Sequence, residues 1–276
     1  MSDARHVYVC LVHEQPQCVA DLVRNLRYLD PDSAILLYNG GDDAELLKRA
    51  EVEAYGVLVH PSPTPQRWGK LHGYAFDCLR MVVTLPRVEA LTIVDSDQLC
   101  VMRDYGATLL AKLDALGPGV GVLSTKPGRV LAHESCCQPM DHAYQELPRF
   151  EPYLKRFPRG DEAWGYHTFW PATVFTRAAA EALVELARDA QLQELLAATT
   201  MFASEETLLP ALAVLAGLRV EENPFDRKFL QFRREHNVVS ADMAILRKEV
   251  AFIHPVVRAY DDPVRSRVRQ RFNGYA

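Results

Sequence analysis

The sequence alternates short strand-like runs with segments of helical periodicity, and this alternation constrains its fold more than any other feature. Runs rich in β-branched and aromatic residues lie at 6–12, 33–41, 56–60, 90–95, 119–124, 167–176 and 250–254. Segments with apolar residues at helical spacing lie at 18–29, 42–50, 69–85, 105–116, 177–190 and 204–217. This order predicts an α/β fold: a mostly parallel sheet flanked by helices, with right-handed crossovers. We expect a single domain over residues 1–276, with a long loop and short helices at 133–165, where proline and polar residues are frequent.

Polar residues follow several of the predicted strands at the point where each strand ends. These are His13-Glu14, Asn39 to Asp42, Asp95-Ser96-Asp97 and His254. In open parallel sheets, ligands bind beyond the carboxyl ends of the strands. We therefore expect these residues to contribute to one site.

Two aspartates end the hydrophobic run Leu91-Thr92-Ile93-Val94. If Ser96 continues the extended backbone, Asp95 and Asp97 point the same way, because strand side chains alternate. Two carboxylates on one side suit Mg²⁺ or Mn²⁺, with His254 as a further ligand. The alternative for the aspartates is a surface turn, and the alternative for His254 is a structural histidine.

Composition excludes some classes of protein. The formal net charge of −5 argues against a general nucleic-acid binder. No apolar run approaches the ~20 residues that a membrane span needs. The first apolar run is short and is interrupted by His13 and Glu14, so we expect no signal peptide. Without such a signal, the six cysteines are expected to be reduced thiols in a cytoplasmic protein.

Several segments, taken in order, resemble a known family. They are a strand ending near Asn39, "QRWGKLHGYAFDCL" before the acidic strand end, "WGYHTFWPATVFTRAAAEALVEL", and "SEETLLPALAVL". Together they resemble GT-A glycosyltransferases, in particular bacterial relatives of the core-2/I-branching N-acetylglucosaminyltransferase and xylosyltransferase family. The resemblance implies a donor nucleotide-binding half over 1–125 and an acceptor-side half over 126–276.

The resemblance also implies inverting transfer of a sugar from a nucleotide-sugar donor to a hydroxyl of a glycan, lipid-linked or small-molecule acceptor. Glu206 matches the family's catalytic base, and Glu205 beside it is the alternative. An ordinary helix cap explains Ser204 and both glutamates equally well. The core-2 branch lacks the Asp-x-Asp and works without a metal, whereas both aspartates here lead us to expect dependence on Mn²⁺ or Mg²⁺.

Further residues are candidates for holding the donor. They are His13, Glu14 and Asn39 for the nucleoside, Trp68 for the border of the nucleotide, Lys70 or Arg258 for the diphosphate, and Ser96, between the two aspartates, as a further donor-binding residue. Each has an ordinary alternative: turn chemistry for Asn39, core packing for Trp68, and solvation for the basic residues.

Other functions and contacts also stay open at this point. A sugar-nucleotide-binding or nucleotidyltransferase-like protein shares the fold, and haloacid-dehalogenase phosphatases use an Asp-x-Asp. The tail 264–272, with four arginines, is expected to be a solvated helix face or a peripheral contact with an anionic membrane.

Overall fold

The structure of the chain is a computed structural model, which describes residues 3–13, 15–134 and 137–276. It divides into two compact units. The first comprises Met1–Pro65, Arg87–Ala115 and Asn223–Ala276, and the second comprises Gln66–Pro86 and Leu116–Glu222.

Nine strands are found within the described residues. They are β1 (His6–Val12), β2 (Ala34–Asn39), β3 (Leu58–Val59), β4 (Ala90–Asp95), β5 (Leu99–Cys100), β6 (Val120–Arg129), β7 (Tyr166–Thr176), β8 (Arg219–Glu222) and β9 (Phe252–Ile253). Eleven α-helices accompany them in the same residues. They are α1 (Pro16–Leu29), α2 (Leu46–Arg49), α3 (His72–Val82), α4 (Tyr105–Leu116), α5 (Gln138–Leu154), α6 (Gly160–Ala163), α7 (Arg177–Leu186), α8 (Ala190–Ala198), α9 (Ser204–Leu215), α10 (Val238–Ile245) and α11 (Pro263–Arg271).

The first unit contains four parallel strands in the order β3-β2-β1-β4. Every residue of β1 and β2 is buried, as expected for inner strands of a parallel sheet covered on both faces. The helix α1 begins with Pro16 at its first position and buries Val19, Leu22 and Leu26. A separate two-stranded antiparallel sheet is formed by β5 and β9.

In the second unit, β6 pairs with β8 in parallel and with β7 in antiparallel orientation. The long apolar helix α9 packs on β7 and has only one side chain, Glu206, that is not fully buried. With mainly parallel strands and flanking helices in sequence alternation, the predicted α/β class is confirmed.

Two features differ from the prediction. The segment 133–165 was expected to be a long loop with short helices, but it contains the 17-residue helix α5, which holds Pro148 and Pro152 in its interior. The run 250–254 was expected to join the parallel sheet, but β9 pairs with β5 instead.

The five cysteines within the described residues form no disulfide. No helix in that part of the chain is both long and apolar enough to cross a bilayer.

A buried polar network lies inside the first unit. His6 contacts Ser33 Oγ through Nδ1 and Thr92 Oγ1 through Nε2, both at 2.8 Å. Asp30 Oδ2 accepts hydrogen bonds from Tyr8 Oη and Ser33 Oγ, both at 2.6 Å. Burial lowers the pKa of His6 to about 4, and the nearby negative charge of Asp30 only partly opposes this. The ring is therefore neutral in the folded protein at neutral pH.

This network makes stability depend on pH. The pKa of His6 is lower in the folded chain than the ~6.5 of an exposed histidine, so the unfolded chain takes up the extra proton. The stabilisation that neutral His6 gives the folded chain is complete above pH ~6.5 and falls by about 1.4 kcal/mol per pH unit down to the folded pKa.

Between pH 7 and pH 5, we predict that the unfolding free energy of His6→Gln falls by about 2 kcal/mol less than that of the wild type, measured by urea denaturation. His133→Gln, at an exposed histidine, should leave the wild-type pH dependence intact. An unchanged pH dependence in His6→Gln would contradict this account.

Candidate functional site

The ends of three neighbouring strands lie at one edge of the sheet in the first unit. The parallel register pairs Val12 with Asn39 and Leu11 with Asp95. His13, Asn39 and Asp95 are therefore brought to the same edge, as predicted from their positions at strand ends. Glu14, predicted with them, lies outside the described residues.

The pairing of β5 with β9 brings His254 to the same place. Leu99 lies opposite Ile253 in this antiparallel pair, so the next residue along β9 approaches the residues that precede Leu99. The amide of Val256 then donates to the carbonyl of Asp97 at 2.8 Å. Two very short strands thus place a residue from near the end of the chain beside the two aspartates.

The aspartates converge through a turn. The condition that Ser96 continues the extended strand is not met, because β4 ends at Asp95 and the amide of Gln98 donates back to the Asp95 carbonyl at 3.0 Å, so the alternative of a turn holds. The Gln98 side chain closes the same turn, with Oε1 accepting from the Asp95 amide at 3.3 Å. This local hydrogen bonding replaces the strand alternation from which the convergence was predicted.

Asp95, Asp97 and His254 form a cluster with the composition of a cation site. One ligand atom from each lies within 4.8 Å of the others, and no other such triad occurs in the described residues. His254 Nδ1 contacts the carbonyl of Gln231 at 2.9 Å. Because a carbonyl only accepts, Nδ1 carries a proton, and in the neutral ring Nε2 presents a lone pair.

His254 Nε2 faces Asp97 Oδ1, a buried atom, at a distance of 3.4 Å. The two atoms attract each other when a proton or a cation lies between them and repel each other otherwise. Held by a backbone carbonyl through its other nitrogen, the imidazole is arranged as in protein metal sites. The residues therefore fit a divalent cation with oxygen and imidazole ligands, such as Mn²⁺.

Arg258 neutralises the other side of Asp97. Its Nη2 lies 2.8 Å from Asp97 Oδ2, and its Nε donates to Ser96 Oγ at 3.0 Å. Burial opposes ionisation of Asp97, but the interactions with His254 and Arg258 are stronger and hold the pKa of this carboxyl below its ordinary value. With 42% of its side chain exposed, Arg258 also remains accessible to an anionic ligand.

The turn itself rests on Arg265, which is completely buried. Its Nη2 donates to the Ser96 carbonyl at 2.6 Å, its Nε donates to the Val257 carbonyl at 2.8 Å, and its Nη1 lies 3.3 Å from Asp21 Oδ2. The prediction of a solvated helix face for 264–272 is wrong at this residue. The other three arginines of the tail also make ion pairs within the chain: Arg269 with Asp21, and Arg267 and Arg271 with Asp242. Membrane contact through this tail stays a prediction.

Asn39 uses its side chain within a turn. Its Nδ2 donates to the Asp43 carbonyl at 2.7 Å, and its Oδ1 accepts from the Gly41 amide at 3.2 Å. Gly41 passes so close to His13 that a Cβ at this position would lie 3.1 Å from the His13 Cβ. The turn explains Asn39 and Gly41 structurally, and nucleoside binding by His13 and Asn39 stays a prediction.

The two candidate bases, both in the second unit, have different surroundings. Glu205 is buried, and its Oε2 accepts from the Leu71 amide at 2.9 Å, just before α3. Glu206 is partly exposed; its Oε1 accepts from the Trp170 amide at 3.0 Å, and its Oε2 lies 3.5 Å from His167 Nε2. Glu205 therefore joins α9 to the residue before α3, and Glu206 is the more accessible carboxylate.

Trp68 and Lys70 precede α3 in the second unit. The side chain of Trp68 is 68% exposed, which excludes the core-packing alternative, and its ring meets Phe202 edge to face at 4.8 Å. Lys70 is exposed as well. Contacts of both with a nucleotide stay predictions.

Three residues at these sites could not be identified from the sequence. Arg265 resembled the other basic residues of the tail, Gln98 had no motif, and His167 was part of an apparent aromatic strand. The helical spacing of Arg265 and Arg269, four residues apart, was the one available signal, because both face Asp21 of α1.

Comparison with known proteins finds weak similarity to solved structures. No protein-family profile and no curated protein matches the sequence. Among solved structures, a mannosyltransferase from Pyrobaculum calidifontis in complex with GDP-Man and Mn²⁺ aligns at 17% identity and a TM-score of 0.39, over 66% of this chain and 47% of that one. This chain thus spans about half the length of that enzyme.

Two further structures align similarly. A cytidylyltransferase from Leptospira borgpetersenii shows 10% identity and a TM-score of 0.39, over 81% of this chain and 77% of that one. Glucosyl-3-phosphoglycerate synthase from Mycobacterium tuberculosis, in complex with Mn²⁺, UDP-glucose and phosphoglyceric acid, shows 12% identity and a TM-score of 0.36, over 79% of this chain and 70% of that one. All three structures have TM-scores below 0.5 and identities below 25%.

The buried arginine yields a stability prediction. Arg265→Leu leaves the fully buried Asp21 carboxylate paired with Arg269 alone. It also deprives two backbone carbonyls of the hydrogen bonds that Arg265 donates to them. We predict a loss of about 3 kcal/mol in unfolding free energy, the lower end for breaking a buried ion pair. The matched control is Arg271→Leu on the same helix, whose partly exposed pair with Asp242 should be worth less than about 1 kcal/mol. Equal effects of the two substitutions in urea denaturation would refute the special role of Arg265.

Proposed function

We propose that the chain is a metal-dependent glycosyltransferase of GT-A type, which transfers a sugar from a nucleotide-sugar donor to a hydroxyl group. The observation that carries this proposal is the cluster of Asp95, Asp97 and His254, in which one ligand atom from each residue lies within 4.8 Å of the others. Asp95, Asp97 and His254 would hold the cation. A bound Mn²⁺ or Mg²⁺ neutralises the charge of the donor's diphosphate.

The remaining steps are assigned to side chains of this chain. Arg258, partly exposed beside Asp97, has a guanidinium suited to phosphate oxygens. Glu206 takes the proton of the acceptor hydroxyl as the new oxygen–carbon bond forms and the bond from the anomeric carbon to the diphosphate oxygen breaks. A single displacement of this kind inverts the anomeric centre.

The products separate this proposal from its alternatives. A glycosyltransferase releases a nucleoside diphosphate, a nucleotidyltransferase releases pyrophosphate, and a phosphatase releases inorganic phosphate. Each product is measured with a panel of nucleotide-sugar donors, with Mn²⁺ and with EDTA. Release of phosphate or pyrophosphate alone would overturn the proposal.

Nucleotide binding tests the metal site directly. We predict that UDP or GDP binds in Mn²⁺ and that binding is lost in EDTA, because the diphosphate meets the acidic pair only through a cation. Asp97→Asn should weaken the affinity for UDP or GDP in Mn²⁺, measured by calorimetry, by at least roughly 10–100-fold. Loss of a residue that only supports a metal ligand already has an effect of that size. Asp114→Asn, at an exposed aspartate of α4, is the matched control and should bind like the parent. Equal affinity in Mn²⁺ and EDTA would remove the metal from the proposal.

The base is tested by turnover. We predict that Glu206→Gln lowers sugar transfer by roughly 10²–10⁴-fold and leaves nucleotide affinity unchanged, because only basicity is lost. Glu205→Gln keeps an oxygen for the Leu71 amide and should retain near-parental turnover. If Glu206→Gln also retains turnover with a productive acceptor, or if the product keeps the donor's anomeric configuration, the assignment of Glu206 fails.

A further inference from the structure

The helix α10 exposes an apolar stripe to solvent. Val239, Met243 and Leu246 are 67%, 48% and 75% exposed, and their spacing of four and three residues places them on one face. The other side of this short helix is anchored, because Ala241 and Ala244 are buried in the hydrophobic cluster around Phe229. The helix also begins with a capping box between Asn237 and Ser240. The stripe is therefore a fixed surface feature of a well-capped helix.

Exposed basic residues flank this stripe on both sides along the chain. They are Arg227, Lys228, Arg233, Arg234, Arg247 and Lys248. Against these six, residues 227–248 contain two acidic residues, Glu235 and Asp242, which gives the segment a formal charge of +4. Asp242 is already bonded to Arg267 and Arg271, and Asp226, just outside the segment, pairs with Arg247. Another exposed apolar side chain, Phe232, lies under the Arg233 guanidinium at 4.9 Å.

The charge of the segment contrasts with that of the whole chain. The chain carries −5, so the residues outside 227–248 together carry −9. An anionic surface attracts this segment and repels the remainder, which favours a single orientation of approach. Exposed apolar residues with basic neighbours are the composition of helices that lie in the interfacial region of a bilayer.

We propose that α10 and its basic flanks dock the protein on the surface of an anionic membrane. The apolar stripe enters the headgroup region, and the flanking arginines and lysines contact lipid phosphates. A second copy of the chain fits this surface less well, because a two-fold interface would bring two segments of +4 together. The tail 264–272, where membrane contact was expected, has Arg265 buried and Arg267 and Arg269 partly buried, whereas all six basic residues of 227–248 are exposed.

Vesicle sedimentation of the full chain tests the proposal. The two probes are vesicles of phosphatidylcholine alone and of phosphatidylcholine mixed with phosphatidylglycerol in equal parts. We predict binding to the anionic vesicles only, weakening as salt is raised. Arg233→Gln/Arg234→Gln should lower the partition coefficient about 25-fold, since each basic residue near an anionic surface is worth about a factor of five. Met243→Ser/Leu246→Ser should lower it at least about tenfold through lost apolar burial.

Matched variants separate the surface from general effects. Arg159→Gln/Arg188→Gln changes the net charge equally at exposed arginines elsewhere, and Leu116→Ser/Leu131→Ser changes two exposed leucines elsewhere. Both should bind like the parent. The proposal is overturned by absence of binding to anionic vesicles, by equal binding to neutral ones, or by equal losses in the control variants. It is also overturned if the parent is a dimer in sedimentation velocity and Met243→Ser/Leu246→Ser makes it monomeric, because a second copy would then cover the stripe.

Discussion

The buried guanidinium of Arg265 is the interaction on which the candidate site depends. A fully buried charge is costly unless each of its donors is satisfied. Here one charge joins three parts of the first unit: the turn through the Ser96 carbonyl, the segment after β9 through the Val257 carbonyl, and α1 through Asp21. Removing any one partner leaves a buried donor or a buried carboxylate unsatisfied. The relative positions of the turn and the segment after β9 are therefore fixed together.

This fixed frame explains how an aspartate and a histidine from distant parts of the chain stay close. The turn carries Asp97, and β9 leads directly into His254. Their facing atoms, Oδ1 and Nε2, attract each other only when a proton or a cation lies between them. Both backbones are held: Gln98 closes the turn, Gln231 orients the imidazole, and Arg265 joins the two segments. The arrangement resembles a site preorganised for a cation.

The sequence predicted the elements in which local pattern and tertiary environment agree. The runs that became β1, β2, β4 and β7 were recognisable because their side chains are buried as a regular strand requires. The strand β9 was assigned to the wrong sheet because two apolar residues carry no information about their partner. The helix α5 was missed because Pro148 and Pro152 are turn signals in isolation. Burial of Phe150, Tyr153 and Leu154 outweighs that local preference.

In the candidate site, too, some features were predictable from the sequence and others were not. Asp95, Asp97 and His254 were predicted together from the rule that parallel strands end at a common edge, and this rule describes the end of β4 correctly. His254 reaches the same place by another route, the antiparallel pairing of β9 with β5. The supporting contacts were not predictable, because they join residues far apart in sequence. Arg265 contacts Asp21 across 244 positions and Ser96 across 169. A local pattern does not distinguish such an arginine from Arg271, which lies on the same helix with a partly exposed partner.

The two oxygens of Asp97 divide their roles, and this division determines how the proposed cation and Arg258 act together. Oδ2 is paired with the Arg258 guanidinium, and Oδ1 faces His254 Nε2 at 3.4 Å. A cation held by Oδ1, Asp95 and His254 would therefore not displace the arginine from Oδ2. Asp95 and Asp97 carry two negative charges, whereas a divalent cation and Arg258 together bring three positive charges. The excess of one positive charge favours an anionic ligand, such as a diphosphate, at the site.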